Sequence, residues 1–168
     1  MAEAKIAPNL PDLMVKHASR YLASGGTEGH MYTIDVPGRG EITAPALLLT
    51  TTGRKSGEKF IFPLFYGTDG DRYFVVASKG GAPQHPGWYR NILANPDVEV
   101  QVGTKKLKAR ARTTLEQGAR ALAALRRLSA QDRTRDTGSR AGPRPLSLIE
   151  VGQANAGGRR EPELFLVA

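Results

Sequence analysis

At 168 residues, with a net charge of +8 and a pI near 10.0, the chain has the length of one domain and a charge that favours anionic partners. A chain of this length can bury about 70% of its unfolded surface, enough for one sizeable core. Cysteine is absent, which excludes disulfides, thiolate catalysis and the usual zinc sites, and the three histidines, at positions 17, 30 and 85, lie too far apart for a local metal motif.

The first thirty residues lack the apolar run and small-residue cleavage site of a signal peptide, and no stretch of roughly 18 apolar residues occurs, so the sequence reads as cytoplasmic. Residues 11–24 have helical periodicity, with Pro11 at the start, Gly25 as the stop, and Leu10, Leu13, Met14, Tyr21 and Leu22 on one stripe. Lys16 and Arg20 fall off that stripe. Three placements stay open for residues 10–24: packing on its own domain, peripheral contact with a membrane surface, or a cover over a ligand site.

After Gly25, Gly26 and Gly29 the pattern turns strand-like over Met31 to Val36, Ala44 to Thr51, Lys59 to Gly67 and Arg72 to Ser78, with Asp69-Gly70 marking a hairpin turn. Between the second and third of these lies Thr50-Thr51-Thr52-Gly53-Arg54-Lys55-Ser56-Gly57, where hydroxyls, two cations and two glycines converge. Phosphate suits such a cradle. It is not a Walker A loop, which needs four residues between its glycines and then a Gly-Lys pair. The same residues also describe an ordinary exposed hairpin turn.

A second cradle follows the fourth strand, Ser78-Lys79-Gly80-Gly81-Ala82-Pro83-Gln84-His85-Pro86-Gly87-Trp88-Tyr89-Arg90-Asn91. Glycines let backbone N–H groups approach an anion, Pro86 suits the first helical position, and the helix N-terminus adds roughly half a positive charge. Trp88, the chain's one tryptophan, offers a flat apolar wall beside it. The helix runs from Pro86 to Ala94, with Trp88 and Ile92 four apart, and Asn95-Pro96 closes it.

Val98 to Val102 alternates strictly. Leu107, Ala109 and Ala111 alternate with Lys106, Lys108, Arg110 and Arg112, so each strand has one wet face. Meandering strands with few helices suit a barrel better than a parallel sheet. Thr113-Thr114-Leu115-Glu116-Gln117 is a capping box for a helix to about Leu128. Beyond it the composition shifts: all eight lysines precede residue 109, arginine dominates afterwards, and residues 115 to 164 contain no aromatic side chain. Residues 129 to 158 form a long Gly, Arg and Pro-rich connection, and two segments compete as the last strand, Pro145 to Val151 and Arg160 to Val167. Basic residues without interleaved aromatics are poor material for stacking nucleic-acid bases, so no nucleic-acid partner is expected.

The ordered set Leu47 to Gly57, Pro63-Leu64, Ala77 to Pro83 and His85 to Tyr89, continued by Asn91 and Ala94 to Val98, resembles the deazaflavin-dependent nitroreductase and quinone reductase family over about residues 25 to 113. The resemblance implies a mainly β, α+β chain with flanking helices, a split β-barrel of the FMN-binding type, and the chain's length reads as one domain over residues 1–168. It implies coenzyme F-420 as cofactor, FMN being the lesser alternative, and hydride transfer to a quinone, nitroaromatic or activated enone. Split barrels of this kind occur as monomers or homodimers.

Carried over residue by residue, the resemblance assigns the cofactor to Arg54, Lys55 and Ser56, to Phe60, Ile61, Phe62, Pro63, Leu64 and Phe65, to Val76, Ala77, Ser78 and Lys79, and to Gly87, Trp88, Tyr89, Arg90 and Asn91. Arg54, Lys55 and Lys79 would hold the phosphate and acidic tail. Pro63, Leu64, Phe65, Val76, Ala77 and Trp88 would wall the ring. Ser78 would orient the acceptor or stabilise developing negative charge, with Tyr66, Tyr89 and His85 as nearby proton donors; the bland role of His85 is to cap the helix at Pro86. The chain departs from the family twice. Phe60 stands where some members place a cation, and the closing region lacks the tyrosines that members bring near the substrate. The alternative function is a deazaflavin- or FMN-binding protein of the same fold without reductase activity.

Overall fold

A computed structural model describes residues 3–36, 40–69, 72–77, 84–114, 148–152 and 163–167. In chain order these form β1 (Lys5–Ile6), α1 (Asp12–Ala23), β2 (Met31–Val36), β3 (Gly40–Thr52), β4 (Lys59–Asp69), β5 (Arg72–Val76), α2 (Gly87–Ala94), β6 (Asp97–Val102), β7 (Lys105–Thr114), β8 (Leu148–Gly152) and β9 (Glu163–Val167).

Hydrogen-bonded pairing closes the sheet on itself. β3 pairs antiparallel with both β4 and β6, β6 with β7, and β4 with β5, and β9 runs parallel to both β5 and β7, which completes the ring. This is the mainly β, split-barrel architecture expected, with two helices against it. Both competing candidates for the last strand are strands: β8 pairs antiparallel with β9 and also borders β5 and β7. Asp69 pairs with Arg72, so β4 and β5 form the expected hairpin. The expected helix over residues 115–128 and the connection over 129–147 and 153–158 lie outside the described residues, while Thr113 and Thr114 end β7.

β3 begins at Gly40 rather than Ala44, because its first half pairs with β2 before its second half joins β4. Its run Ala46-Leu47-Leu48-Leu49 is buried throughout, for two different reasons. Leu47 and Leu49 point into the barrel with Val75, Val98, Val100, Ala109 and Ala111, whereas Leu48 faces outward and packs with Ile61, Ala18 and Tyr21 under α1. β6 breaks its expected alternation at Gln101, which is buried and satisfied by donating from Nε2 to the Gly103 carbonyl at 3.1 Å.

α1 starts after Pro11 and ends at Ser24, as expected, but its buried face is His17, Ala18 and Tyr21. Leu13 and Leu22 flank that face and remain 55% and 37% exposed, which corrects the expected stripe. They stand nine positions apart, half a turn from each other on a helix of 3.6 residues per turn. Tyr21 fastens the helix to the barrel: its hydroxyl donates to the Ala46 carbonyl at 3.2 Å and accepts the Gly103 N–H at 2.6 Å. The chain then leaves α1 through Gly26, at φ +96°, where a Cβ would lie 1.8 Å from the Gly103 carbonyl oxygen. Among the described residues no helix is long and apolar enough to cross a membrane.

Candidate functional site

Loop 53–57 joins β3 to β4, so the first cradle is a hairpin turn by construction, with Thr52 pairing with Lys59 across its base. The Gly53 N–H donates to the Glu58 carbonyl at 2.7 Å, and the Gly57 N–H to the Gly53 carbonyl at 2.8 Å. Gly53 is buried against the Phe60 ring; a Cβ there would lie 2.7 Å from Phe60 Cε2 and 2.8 Å from Ser56 Oγ. Phe60 therefore forms the floor of the loop.

What separates this loop from an ordinary turn is its charge and its tether. Arg54, Lys55 and Ser56 are exposed, and neither cation is paired with a carboxylate among the described residues. The neighbouring acid, Glu58, is held by Lys5, whose Nζ lies 2.5 Å from Oε1 and 5.4 Å from the centre of the Phe60 ring. That hydrogen bond from Lys5 is the main cause holding the Glu58 carboxyl below its usual range. The tether is Asn91 of α2, whose Oδ1 accepts from the Arg54 backbone N–H at 3.3 Å and from Arg54 Nη1 at 3.5 Å, while its Nδ2 donates to Thr51 Oγ1 at 3.2 Å. Asn91 is 7% exposed and serves here as an internal brace between the loop and β3.

β4 alternates, and this divides the expected ring wall. Phe62 and Leu64 turn inward against the main core, together with Tyr66. Ile61 packs under α1, and Phe65 stacks on Tyr32 with ring centres 5.4 Å apart. The side chains of residues 60–65 are therefore shared between the two faces of β4, because successive side chains leave opposite faces of a strand. Trp88, at 4% exposure, belongs to the barrel core with Tyr89 and Ile92. Pro63 and Ala77 are buried, Val76 is half-buried, and Gly87 and Arg90 are exposed. The second cradle, Ser78 to Pro83 with Ser78 and Lys79, lies outside the described residues.

Pro86 is the residue before the first helical turn of α2 rather than in it, and no side chain caps that end. His85 accordingly does not cap. It stacks over the Tyr89 ring at 4.5 Å and stays exposed. Tyr66 is buried, and burial, with smaller contributions from Tyr73 and Tyr21, pushes its phenol up to about 12. Its hydroxyl meets His30 Nε2 at 2.7 Å, a partner that sequence reasoning missed. The Lys5 pairing with Glu58 and the bracing of Arg54 by Asn91 were equally invisible, since each joins residues dozens of positions apart.

A cleft of about 590 Å³ opens on the outer face of β3, β6 and β7 beside loop 53–57, away from the expected ring wall. Its charges are largely self-paired, Lys59 with Glu99 at 2.5 Å and Arg110 with Asp97 at 3.0 Å, and it adds the hydroxyls of Thr50 and Thr52 and the ammonium of Lys108. Loop 53–57, with two cations that no acid pairs among the described residues and a glycine that brings the backbone close, has the donor set an oxyanion requires. It fits the phosphate-bearing part of the expected coenzyme.

Residues 13–142 match the family model for F420H(2)-dependent quinone reductase. An F420H(2)-dependent quinone reductase of Mycobacterium tuberculosis is 46% identical over 94 residues, which cover 56% of this chain and 58% of that protein. The chain thus spans under two thirds of the length of this relative. Among solved structures, an F420-H2 dependent reductase is 43% identical, covering 52% of this chain and 75% of its own, with a TM-score of 0.44. A domain-swapped dimer is 39% identical, covering 69% and 78%, with a TM-score of 0.43.

Proposed function

This chain belongs to the F420H(2)-dependent quinone reductase family, and we propose that it is an oxidoreductase passing a hydride from reduced coenzyme F-420 to a quinone. Nitroaromatics and activated enones are further acceptors of the same electron-poor class. The observation that carries the reading is loop 53–57, where Arg54 and Lys55 stand exposed with their neighbouring acid already taken by Lys5.

The coenzyme, when bound, supplies the hydride donor. Arg54 and Lys55 hold its anionic part, joined by Lys79 of the second cradle, while the backbone at Gly53 keeps the loop close to the barrel end. A quinone that gains a hydride needs one proton to become the hydroquinone. Tyr66, which keeps its proton at neutral pH, and the exposed His85 are the donors we assign, with Ser78 orienting the acceptor oxygen. We read residues 1–168 as one domain carrying this site.

Mixing purified protein with reduced F-420 and menadione tests the proposal, with reoxidation followed by absorbance. Acceptor-dependent reoxidation is expected. No binding of the coenzyme and no turnover with menadione or a nitroaromatic would remove the reading. Tight binding without turnover would instead favour a coenzyme-binding protein, the alternative supported by the absence of aromatic residues between positions 115 and 164.

A further inference from the structure

We infer that Asn91 is a positioning residue for anion recognition: from α2 it presets Arg54 for an incoming oxyanion while leaving the guanidinium charge uncompensated. The inference rests on the reading of loop 53–57 as the seat of the coenzyme phosphate. Asn91 is nine-tenths buried, and three of its hydrogen bonds are resolved. Oδ1 receives two donors from one residue, Arg54, whose backbone and side chain are thereby held together. Nδ2 is anchored on Thr51, itself 1% exposed at the end of β3. The donating Arg54 N–H fixes which end of the carboxamide is oxygen.

The chemistry of the brace matters. A carboxylate in the same place would hold Arg54 more strongly, but it would also neutralise the charge that an oxyanion needs. A neutral carboxamide orients without competing, which lowers the ordering cost of a long side chain when the ligand arrives. The exposed end of Arg54, with no acid partner among the described residues, is consistent with that division of labour.

Binding of F-420 to wild type, Arg54→Ala, Asn91→Asp, Thr51→Val and the double variant Arg54→Ala/Asn91→Asp tests this, by calorimetric titration at several salt concentrations. Asn91→Asp keeps the Oδ1 acceptor that Arg54 uses and replaces the Nδ2 donor by an oxygen to which the Thr51 hydroxyl can donate, so it should fold, yet it should weaken binding about tenfold, because the new carboxylate engages Arg54. The double variant should bind no more weakly than Arg54→Ala alone, and the salt dependence of binding should flatten in both. Thr51→Val, which removes only the anchor, should give a smaller loss in the same direction. In turnover, KM for the coenzyme should rise with kcat unchanged. Weakened binding by Arg54→Ala with wild-type affinity in Asn91→Asp would overturn this inference and leave the functional reading standing. Full affinity in Arg54→Ala, or no binding by wild type, would overturn the phosphate seat and the inference with it.

Discussion

His30 Nε2 and the Tyr66 hydroxyl lie 2.7 Å apart across 36 residues of sequence, joining the half-buried residue just before β2 to the inside of the barrel. Burial pushes the Tyr66 phenol up to about 12, so the hydroxyl keeps its proton at neutral pH, and the His30 tautomer decides which of the two atoms donates.

If Tyr66 delivers the proton that the reduced acceptor needs, Tyr66→Phe should lower kcat by about two orders of magnitude while coenzyme affinity holds. The ring stays in the core, so the thermal midpoint should move little. Stopped-flow reoxidation of the reduced coenzyme checks this, and unchanged kcat would assign Tyr66 to packing alone.

Gly53→Ala should destabilise the protein by about 1 to 3 kcal/mol, because the added Cβ would meet the Phe60 ring at 2.7 Å and Ser56 Oγ at 2.8 Å. The conflict is with a ring, so Phe60→Leu in the same chain should recover part of the loss. Urea unfolding of the single and double variants measures it; additive losses would show that Phe60 is not what the new methyl meets.

Tyr21→Phe should cost about 2 kcal/mol, since it leaves the Ala46 carbonyl and the Gly103 N–H without this buried hydroxyl. Equilibrium denaturation gives the number. Near-zero change would mean that water or another group replaces the hydroxyl.

His17 sets an acid limit. Burial, with a further push from Arg20, holds its pKa below 6.5, and it stacks on Tyr32 at 3.8 Å. His17 Nε2 and Tyr32 Oη are buried without a hydrogen-bond partner among the described residues. The folded state thus keeps His17 neutral where the unfolded chain begins to bind a proton. Its contribution to stability is intact above about 6.5 and falls away as the pH drops from there through the lowered folded value. The thermal midpoint should decline from pH 7 to pH 5, and His17→Phe should flatten that slope; an identical slope in the variant would place the acid sensitivity elsewhere.

Much of this protein was legible in local sequence. α1 and α2 begin and end within about a residue of where Pro11, Gly25, Pro86 and Asn95 place them, the strands fall where β-branched and aromatic residues alternate, and the glycines around Arg54 and Lys55 announce a turn. These signals act over a few residues, through fixed φ, side-chain period and turn chemistry, so they need no knowledge of the rest of the chain. Which face of an element is buried, and against what, was decided only when distant segments met. Leu13 and Leu22 are exposed because the groove under α1 is shaped to take Ala18 and Tyr21. Trp88 is core because α2 closes on the barrel strands, and β4 sends Phe62 and Phe65 to opposite faces because β3 and β5 pair with it edge to edge. The bracing of Arg54 by Asn91 belongs to the same class: a contact across 37 residues has no local signature, since only the closed sheet brings β3 and α2 to one corner.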